Sequence, residues 1–290
     1  MQRPKFSIVM PVYKVEQYIE QSLKSVLEQT YTDFEVILVD DCSPDDSIKI
    51  AKKFAKEDNR IKIITQPKNM GCGKARNTGV QHAQGKYLLC WDPDDWVERN
   101  YLEQIDNVFE NYDVDSVWVK LWKYYEDSDT LDILTAYPCF THHLGGLIEI
   151  SPDNINDFPV FAWNKAYKLD YVKENDFGWA ENSYFEEVYF YYDFFMNSHK
   201  VYIIDEMLYY YRQRLGSIMS RNDIELKRCQ DLFKILTSLY NSIDIRGCNP
   251  LYKNSIIRYA KKWNYSYKDK PIHNLVTQLF NKFKNDIAQF

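Results

Sequence analysis

The sequence predicts an α/β fold with a doubly wound, mostly parallel sheet and a helical C-terminal extension. Short apolar runs alternate with helical patterns in the first half of the chain, as they do in parallel sheets with crossover helices. From Asp223 onward the pattern is helical. A chain of 290 residues that is 45% hydrophobic can bury a sizeable core. Its 9 glycines are too few for a large β protein built from loops.

The predicted elements follow one another in a regular order. In the first half, β-rich apolar runs predict strands at 6–10, 34–39, 61–65, 87–91 and 116–122. Pro11 is expected to end the first strand, because proline cannot donate to a strand ladder. Apolar residues at helical spacing predict helices at 16–29, 45–57, 74–83 and 101–111. Later in the chain, we expect strands at 147–150, 200–204 and 208–212 and a helix at 184–196.

The rest of the chain is organised around residues 86–96. Residues 87–91 form an apolar run that predicts a strand buried on both faces, and Pro93 ends it. Three carboxylates follow that strand directly: Asp92, Asp94 and Asp95. They emerge at the carboxyl end of a central strand, where open α/β sheets bind ligands. Like charges this close favour a hard divalent cation between them, although an ordinary acidic turn has the same composition.

Other predicted strands also end in polar residues. Tyr13 follows the first strand, and Asp40 and Asp41 follow the second. Parallel strands bring these ends to one edge of the sheet, so we expect a single cleft to collect them with the three carboxylates. Asp40 fits a cap on the following turn as well as it fits a ligand contact.

Composition and motifs exclude several classes. The net charge of -6 argues against a general nucleic-acid binder. Gly71 and Gly73 form a GxG, but Arg76 stands where the dinucleotide fingerprint needs glycine, and the P-loop motif is absent from the sequence. The six cysteines include no CxxC pair, which favours reduced thiols in a cytoplasmic protein without structural zinc.

The region 251–290 is basic, in contrast to the acidic remainder of the chain. It carries eight lysines and arginines against Asp269 and Asp286. Its helices are expected either to show a solvated face or to contact anionic lipid headgroups. The sequence contains no apolar stretch near the roughly 20 residues of a spanning helix, and its first residues lack the features of a signal peptide. We therefore expect a cytoplasmic protein, peripheral at most to the inner membrane face.

Six short motifs carry a family resemblance. They are 7–13 (SIVMPVY), 25–30 (SVLEQT), 35–43 (EVILVDDCS), 69–77 (NMGCGKARN), 85–87 (GKY) and 92–95 (DPDD). In this order and spacing they resemble the inverting family-two glycosyltransferases with a GT-A fold, as found in bacterial surface-glycan biosynthesis. Looser matches follow at 163–165, 186–187 and 211–217.

The resemblance implies a nucleotide-diphospho-sugar donor, usually a UDP-sugar, and Mn²⁺ or Mg²⁺. By the family pattern, Asp94 is a direct metal ligand, Asp92 lies near the ribose and a metal-bound water, and Asp95 lies near the donor sugar. Asp41 would accept a hydrogen bond from the uracil N–H. The remaining nucleotide pocket would be formed by Pro11, Tyr13, Glu16, Asn69 and Arg76.

The resemblance also implies a catalytic base and an acceptor site. The family usually supplies the base as the Asp of a Glu-Asp pair, and here that pair is Glu186-Glu187. Glu187 therefore takes the base position, with Glu186 as the alternative. Residues 212–217 are expected to cover the diphosphate or acceptor from a mobile loop, through Arg212, Arg214 and Ser217. Acceptor contacts are expected from Trp163, Asn164 and Lys165, although Trp163 is equally compatible with the core.

We thus expect three parts: a nucleotide-sugar-binding half at 1–122, an acceptor and catalytic-base half at 123–220, and a helical extension at 221–290. The implied function is metal-dependent, inverting transfer of a hexose or N-acetylhexosamine to a capsule or lipooligosaccharide glycan, and we expect this glycan to be carried on a lipid. The extension would bring the enzyme to the membrane or to a second copy of itself. The alternatives are a sugar nucleotidyltransferase, which normally has a glycine-rich loop after its first strand, and a non-catalytic glycan-binding scaffold.

Overall fold

The computed structural model describes residues 3–134, 137, 145–214 and 224–288. Within these ranges the strands form one ten-stranded sheet in the order β3-β2-β1-β4-β9-β6-β10-β5, with β7 beside β6 and β8 beside β10. The strands are β1 Phe6–Val12, β2 Phe34–Asp40, β3 Ile61–Thr65, β4 Tyr87–Cys90, β5 Trp96–Val97, β6 Ser116–Tyr125, β7 Thr130–Ile133, β8 Gly146–Glu149, β9 Lys165–Lys168 and β10 Lys200–Gln213.

The helices connect the strands in the first half and follow them at the end. They are α1 Ile19–Leu27, α2 Ser47–Glu57, α3 Cys72–His82, α4 Tyr101–Asn111, α5 Leu169–Glu174, α6 Glu186–Phe195, α7 Glu225–Ile245, α8 Tyr252–Ser266 and α9 His273–Ile287. The last three helices pack against one another, and α7 also packs on α6. In the described part of the chain, no helix is both long enough and apolar enough to cross a bilayer.

The parallel part of the sheet confirms the predicted fold class. The neighbouring strands β3, β2, β1 and β4 all run parallel. Every residue of β1, β2 and β4 is buried, as continuous apolar runs require. The polar residues that follow β1, β2 and β4 therefore lie at the same edge of the sheet.

Pro11 does not end the first strand, contrary to the sequence-based expectation. β1 continues to Val12, and Pro11 pairs with Val39 of β2. The carbonyl of Val9 faces β4, where it accepts a hydrogen bond from the N–H of Trp91. Pro11, two residues after Val9, faces the same side of the strand as Val9 does. The last pair between β1 and β4 is Val9 with Cys90, so the position where Pro11 lacks an N–H lies beyond the end of that ladder. Proline is tolerated there because the ladder has already ended on that side.

The remaining strands are arranged in a mixed pattern. β9 runs antiparallel to both β4 and β6, and β10 runs parallel to β6. The prediction of two separate strands at 200–204 and 208–212 is wrong, because β10 is continuous. Its register on β6 shifts between Ile204 and Tyr209, as at a β-bulge. Beyond the bulge, β10 pairs with β5 and so passes beside the acidic residues that follow β4.

Gly79 of α3 lies against the buried strand β1. A Cβ at this position would lie 2.2 Å from Cγ1 of Val9. We expect Gly79→Ala to lower the free energy of unfolding by about 1–3 kcal/mol, because the helix must move away from the strand. Urea unfolding followed by circular dichroism measures this change. Gln81→Ala on the exposed side of α3 is the control, with a change within about 0.5 kcal/mol. Equal stability of the two variants would contradict the close packing.

Candidate active site

The three carboxylates that follow β4 lie together, as predicted. One oxygen from each of Asp92, Asp94 and Asp95 can be chosen so that all lie within 4.8 Å of one another. The turn is closed by the N–H of Asp95, which donates to the carbonyl of Asp92 at 3.2 Å. Carboxylate oxygens are the ligands that Mg²⁺ and other hard cations prefer. The donor set and its spacing therefore fit a divalent cation.

Asp95 is the inner member of this acidic cluster, and β10 holds it in place. Its side chain accepts the backbone N–H of Arg212 on one oxygen and the hydroxyl of Tyr209 on the other, both at 2.8 Å. Burial raises the pKa of Asp95 well above its usual value, and the charges of Asp94 and Asp92 raise it further. The sequence analysis did not identify Tyr209, because a tyrosine inside a strand carries no local signal of this contact.

Arg214 and Arg212 contact the cluster in different ways. Arg214 forms an ion pair with the carboxylate of Asp94 at 2.9 Å. Arg212 donates from Nε to the carbonyl of Asp94 at 2.8 Å and from Nη2 to Gln21 at 2.5 Å. Its guanidinium is surrounded by the rings of Tyr18, Trp96 and Tyr124.

This placement corrects the prediction that Arg212 covers the diphosphate or the acceptor from a mobile loop. Arg212 belongs to β10, and only 8% of it is exposed. It braces the acidic turn through the backbone carbonyl of Asp94, whereas Arg214 pairs with the carboxylate of Asp94. Ser217, which was predicted to act with them, lies outside the described residues.

Arg76 joins the acidic cluster to the glutamate pair. Its guanidinium forms ion pairs with Asp92 at 2.7 Å and with Glu186 at 2.6 Å, and only 4% of the residue is exposed. Burial raises the pKa of Asp92 to about 6, although Arg76 acts in the opposite direction. Arg76, which was predicted to contact the nucleotide, therefore also bridges two carboxylates that are far apart in sequence.

Removal of this bridge should cost substantial stability. We expect Arg76→Met to lower the free energy of unfolding by about 3–5 kcal/mol, because two partly buried carboxylates lose their cation. Chemical unfolding in urea measures the change. Lys24→Met, which breaks an exposed pair with Glu20 on α1, is the control and should leave the free energy of unfolding nearly unchanged. Equal free energies of unfolding in the two variants would show that the bridge does not stabilise the fold.

The glutamate pair opens α6, and its two members have different surroundings. Glu186 holds the Arg76 ion pair. Burial, followed by the neighbouring charge of Glu186, raises the pKa of Glu187 to about 8. Glu187 is therefore protonated over most of the neutral range and takes up a proton more readily than an ordinary carboxylate. This difference separates the two candidates that the sequence left open.

The predicted nucleotide-side residues lie near the ends of β1 and β2. The ring of Tyr13 is 40% exposed, so it is available for stacking rather than buried in the core. Asp41 accepts the backbone N–H groups of Met70 at 2.6 Å and Gly71 at 2.8 Å, and Asn69 donates to its carbonyl at 3.2 Å. Asp41 thus also ties the loop before α3 to the end of β2.

Three further side chains in this area have clear local contacts. Asp40 accepts the backbone N–H of Ser43 at 2.9 Å, so it caps the turn. Glu16 accepts the N–H of Asp46 at 2.8 Å. Pro11 is buried in β1. A cavity of about 380 Å³ is lined by Glu16 of the predicted nucleotide pocket and by Arg214, the partner of Asp94.

A larger cavity of about 500 Å³ lies elsewhere. It is lined by Tyr87, Tyr112 and Lys168 among others, at the opposite end of β4 from the carboxylates. None of the predicted site residues lines it. The larger of these two cavities is therefore not the one that the predicted site residues line.

The predicted acceptor contacts from Asn164 and Lys165 are wrong. Both side chains are fully buried. The ammonium of Lys165 donates to the carbonyls of Pro159 and Phe161 at 2.9 and 2.6 Å and to Asn164 at 2.9 Å. These side chains hold an internal turn and cannot meet a ligand from solvent.

Trp163 is also a core residue, which was the alternative left open. It is 6% exposed, and it stacks on Phe161, Tyr209 and Tyr211 at ring distances of 4.6, 4.6 and 4.9 Å. Tyr209 also donates its hydroxyl hydrogen bond to Asp95, so this aromatic stack helps to position one carboxylate of the acidic cluster.

Comparison with known proteins decides the family. The model of glycosyl transferase family 2 matches residues 7–175. The chain belongs to this family. The family 2 domain covers the acidic cluster and Arg76, and it ends before the glutamate pair of α6.

This family 2 glycosyltransferase is similar to glycosyltransferase GlyA of Streptococcus pneumoniae, with 31% identity over 228 residues. That match covers 74% of this chain and 31% of GlyA, so the chain spans about a third of that relative. Staphylococcus aureus TarS, solved with UDP-GlcNAc, has the same GT-A fold, with a TM-score of 0.80 at 21% identity. The match covers 98% of this chain and 81% of that one.

A second solved structure is a mannosyltransferase, PcManGT of Pyrobaculum calidifontis, in complex with GDP-Man and Mn²⁺. Its TM-score is 0.61 at 15% identity, over 100% of this family 2 enzyme and 76% of that chain. Both structural matches extend over the helical C-terminal region as well as the sheet.

Proposed function

We propose that this family 2 glycosyltransferase is metal-dependent and inverting. It transfers a hexose or N-acetylhexosamine from a UDP-sugar to a hydroxyl of a growing bacterial surface glycan, of the capsule or lipooligosaccharide type. The observation that carries the proposal is the bridge formed by Arg76 between the acidic cluster and the glutamate pair. It supports the proposal because it joins the proposed cation site to Glu186, the neighbour of the proposed base.

The acidic cluster is the proposed metal and donor site. Asp94 and Asp92 would hold Mn²⁺ or Mg²⁺, and PcManGT, with its bound Mn²⁺ and nucleotide sugar, supports this assignment. When bound, the ion would neutralise the charge that develops on the diphosphate as the sugar leaves. Arg214 adds a cation on the solvent side of Asp94, and Asp95 is held rigidly enough to orient the donor sugar.

The nucleotide is proposed to lie across the ends of β1 and β2. The exposed ring of Tyr13 is available to stack on the base, and Pro11 and Glu16 would form the adjoining wall. Asp41 accepts hydrogen bonds from Met70, Gln66 and Gly71, which leaves one lone pair on Oδ2 for a uracil N–H. Asn69 lies beside it. TarS, which binds UDP-GlcNAc with a similar fold, supports a uridine donor.

Glu187 is the proposed catalytic base. An inverting transfer needs a group that takes the acceptor proton as the hydroxyl attacks opposite the leaving group. Glu186 is committed to Arg76, whereas the raised pKa of Glu187 suits proton uptake near neutral pH. Glu186 remains the alternative base.

The pH dependence of transfer tests this assignment. Glu187 must be deprotonated to act, and its pKa is raised to about 8. We expect kcat to rise about tenfold per pH unit below that value and to level off above it. Single-turnover rates between pH 6 and pH 9.5 with Mg²⁺ measure the profile. Glu186→Gln should move the midpoint to lower pH, because it removes the neighbouring negative charge. A flat profile in the wild type would exclude Glu187 as the base.

A lipid-linked acceptor and a cytoplasmic location at the inner membrane face complete the proposal. One face of α8 exposes Arg258, Lys261 and Lys262 around Tyr265, which is 65% exposed, and the exposed Lys268 follows the end of the helix. Such a face is suited to anionic headgroups. Flotation with phosphatidylglycerol vesicles tests membrane binding through this face. Failure to bind the vesicles at low salt would indicate that the face is only solvated. A homodimer through the same extension stays a prediction.

The decisive test of function is a donor panel. UDP-Gal, UDP-Glc, UDP-GlcNAc, UDP-GalNAc, UDP-glucuronic acid, GDP-Man and dTDP-sugars are each incubated with Mn²⁺ or with EDTA, and nucleotide release is measured. We expect metal-dependent UDP release from one donor. Pyrophosphate release from a nucleoside triphosphate and a sugar 1-phosphate would instead indicate the nucleotidyltransferase. Glycan binding without donor turnover would indicate the scaffold.

A further inference from the structure

The turn that precedes α6 has an unusual backbone. Phe185, directly before the glutamate pair, lies in the left-handed region at φ 62° and ψ 33°. This conformation is unfavourable for a residue with a Cβ. The carbonyl of Phe185 accepts the N–H of Val188 at 2.9 Å, so its orientation sets the first turn of the helix. No side chain caps that end of α6 in the described part of the chain.

Contacts from the C-terminal helices hold this turn. The ring of Phe185 packs edge-on against Trp263 of α8 at 4.9 Å, and the guanidinium of Arg228 of α7 lies over the same ring, 5.0 Å from its centroid. The backbone N–H of Tyr184 donates to Asp231 of α7 at 3.2 Å. Residues that are strained in this way persist only where their surroundings hold them.

Asp231 is well placed for a fixed role. It is 3% exposed, and Lys227, one turn earlier on α7, forms an ion pair with it. The cation satisfies one carboxylate oxygen, and the other accepts the Tyr184 N–H. A buried carboxylate without partners would be costly, so the two contacts together explain why it is tolerated at this junction.

We infer that Asp231 is a positioning residue for the catalytic base: through Tyr184 and the seated ring of Phe185, the C-terminal helices fix the turn from which α6 presents Glu187. The inference rests on the proposed function for its kinetic part. It gives the helical extension a role in the chemistry although none of its residues touches the acidic cluster in the described structure. A displacement of the base by about 1 Å can cost about 10²-fold in rate.

The experiment compares Asp231→Ala with Asp231→Asn. The alanine variant loses the acceptor for the Tyr184 N–H, whereas the amide oxygen of asparagine can still accept it. We expect kcat to fall at least about tenfold in Asp231→Ala at an unchanged donor KM, and to be largely retained in Asp231→Asn. Asp244→Ala is the control on the same helix, because it removes an exposed ion pair with Lys253 and should leave kcat unchanged.

Hydrogen exchange gives a readout that does not depend on activity. Peptides that cover 184–190 should exchange faster in Asp231→Ala than in the wild type, Asp231→Asn or Asp244→Ala. If Asp231→Ala fails to fold, Phe185→Gly replaces it, because glycine keeps the left-handed backbone but removes the ring. Unchanged kcat and unchanged exchange in Asp231→Ala, or equal losses in the asparagine variant, would overturn the inference. A wild type that transfers no sugar would instead reject the proposed function, while the exchange result would still decide whether the turn is held.

Discussion

A Glu187→Gln variant is expected to lose transfer, with kcat lower by about 10²–10⁴-fold, while its donor affinity stays close to that of the wild type. The amide has nearly the shape of the carboxylic acid but cannot take up the acceptor proton. Burial and the charge of Glu186 raise the pKa of the wild-type side chain to about 8. The side chain is therefore mostly neutral below that pH, and a neutral amide disturbs the folded structure little. Single-turnover transfer and equilibrium UDP-sugar binding measure the two quantities separately.

Glu186→Gln is the matched control for this change. It alters the adjacent glutamate of the same helix turn and weakens the contact with Arg76, yet it leaves Glu187 in place. We expect its kcat at pH 9 to remain within about tenfold of the wild type. A reversed result, with Glu186→Gln inactive and Glu187→Gln active, would move the base to Glu186.

An Asp94→Asn variant is expected to lose metal-dependent donor binding and to reduce transfer by about 10²–10³-fold or more. Asp94 belongs to a cluster whose ligand oxygens lie within 4.8 Å of one another. Its loss removes both a charge for the cation and the partner of Arg214. Titration with Mn²⁺ at a fixed UDP-sugar concentration measures the metal requirement.

Asp113→Asn is the corresponding control. Asp113 pairs with Lys168 at 2.9 Å, the same separation as in the Asp94 pair, but at the opposite end of the sheet. The same chemical change there should leave the metal titration unaltered. If Asp94→Asn kept the wild-type response to Mn²⁺, the cation would have to be held elsewhere.

The parallel sheet and the position of the acidic cluster could be predicted because their signals are local. Buried parallel strands need continuous apolar runs, and such runs are visible at β1, β2 and β4. Once their order is known, the residues after them must share one edge. The existence of a carboxylate cluster after β4 follows from sequence alone, without knowledge of its contacts.

The contacts within the site could not be predicted, because they join distant parts of the chain. Arg76 and Glu186 are 110 positions apart, and Tyr209 is 114 positions from Asp95. A pairing of this kind depends on how the second half of the sheet folds back through β9 and β10. The β-bulge in β10, which brings Tyr209 and Arg212 to the cluster, interrupts the alternation that a strand prediction uses.

Burial of polar residues was the other source of error. Asn164 and Lys165 were expected to contact the acceptor, and lysine is almost never fully buried unless it is paired. Here two backbone carbonyls and the side chain of Asn164 satisfy the ammonium. Such an internal arrangement leaves no trace in the residue pattern, since β9 is short and carries two lysines.

The central claim, a donor site built on a carboxylate-bound cation, is tested most directly by calorimetric titration of UDP into the wild-type protein with Mn²⁺ and again with EDTA. We predict binding in Mn²⁺ that weakens at least about tenfold when the metal is removed, which corresponds to about 1.4 kcal/mol. Equal affinity for UDP under the two conditions would contradict a metal-dependent donor site at Asp92, Asp94 and Asp95.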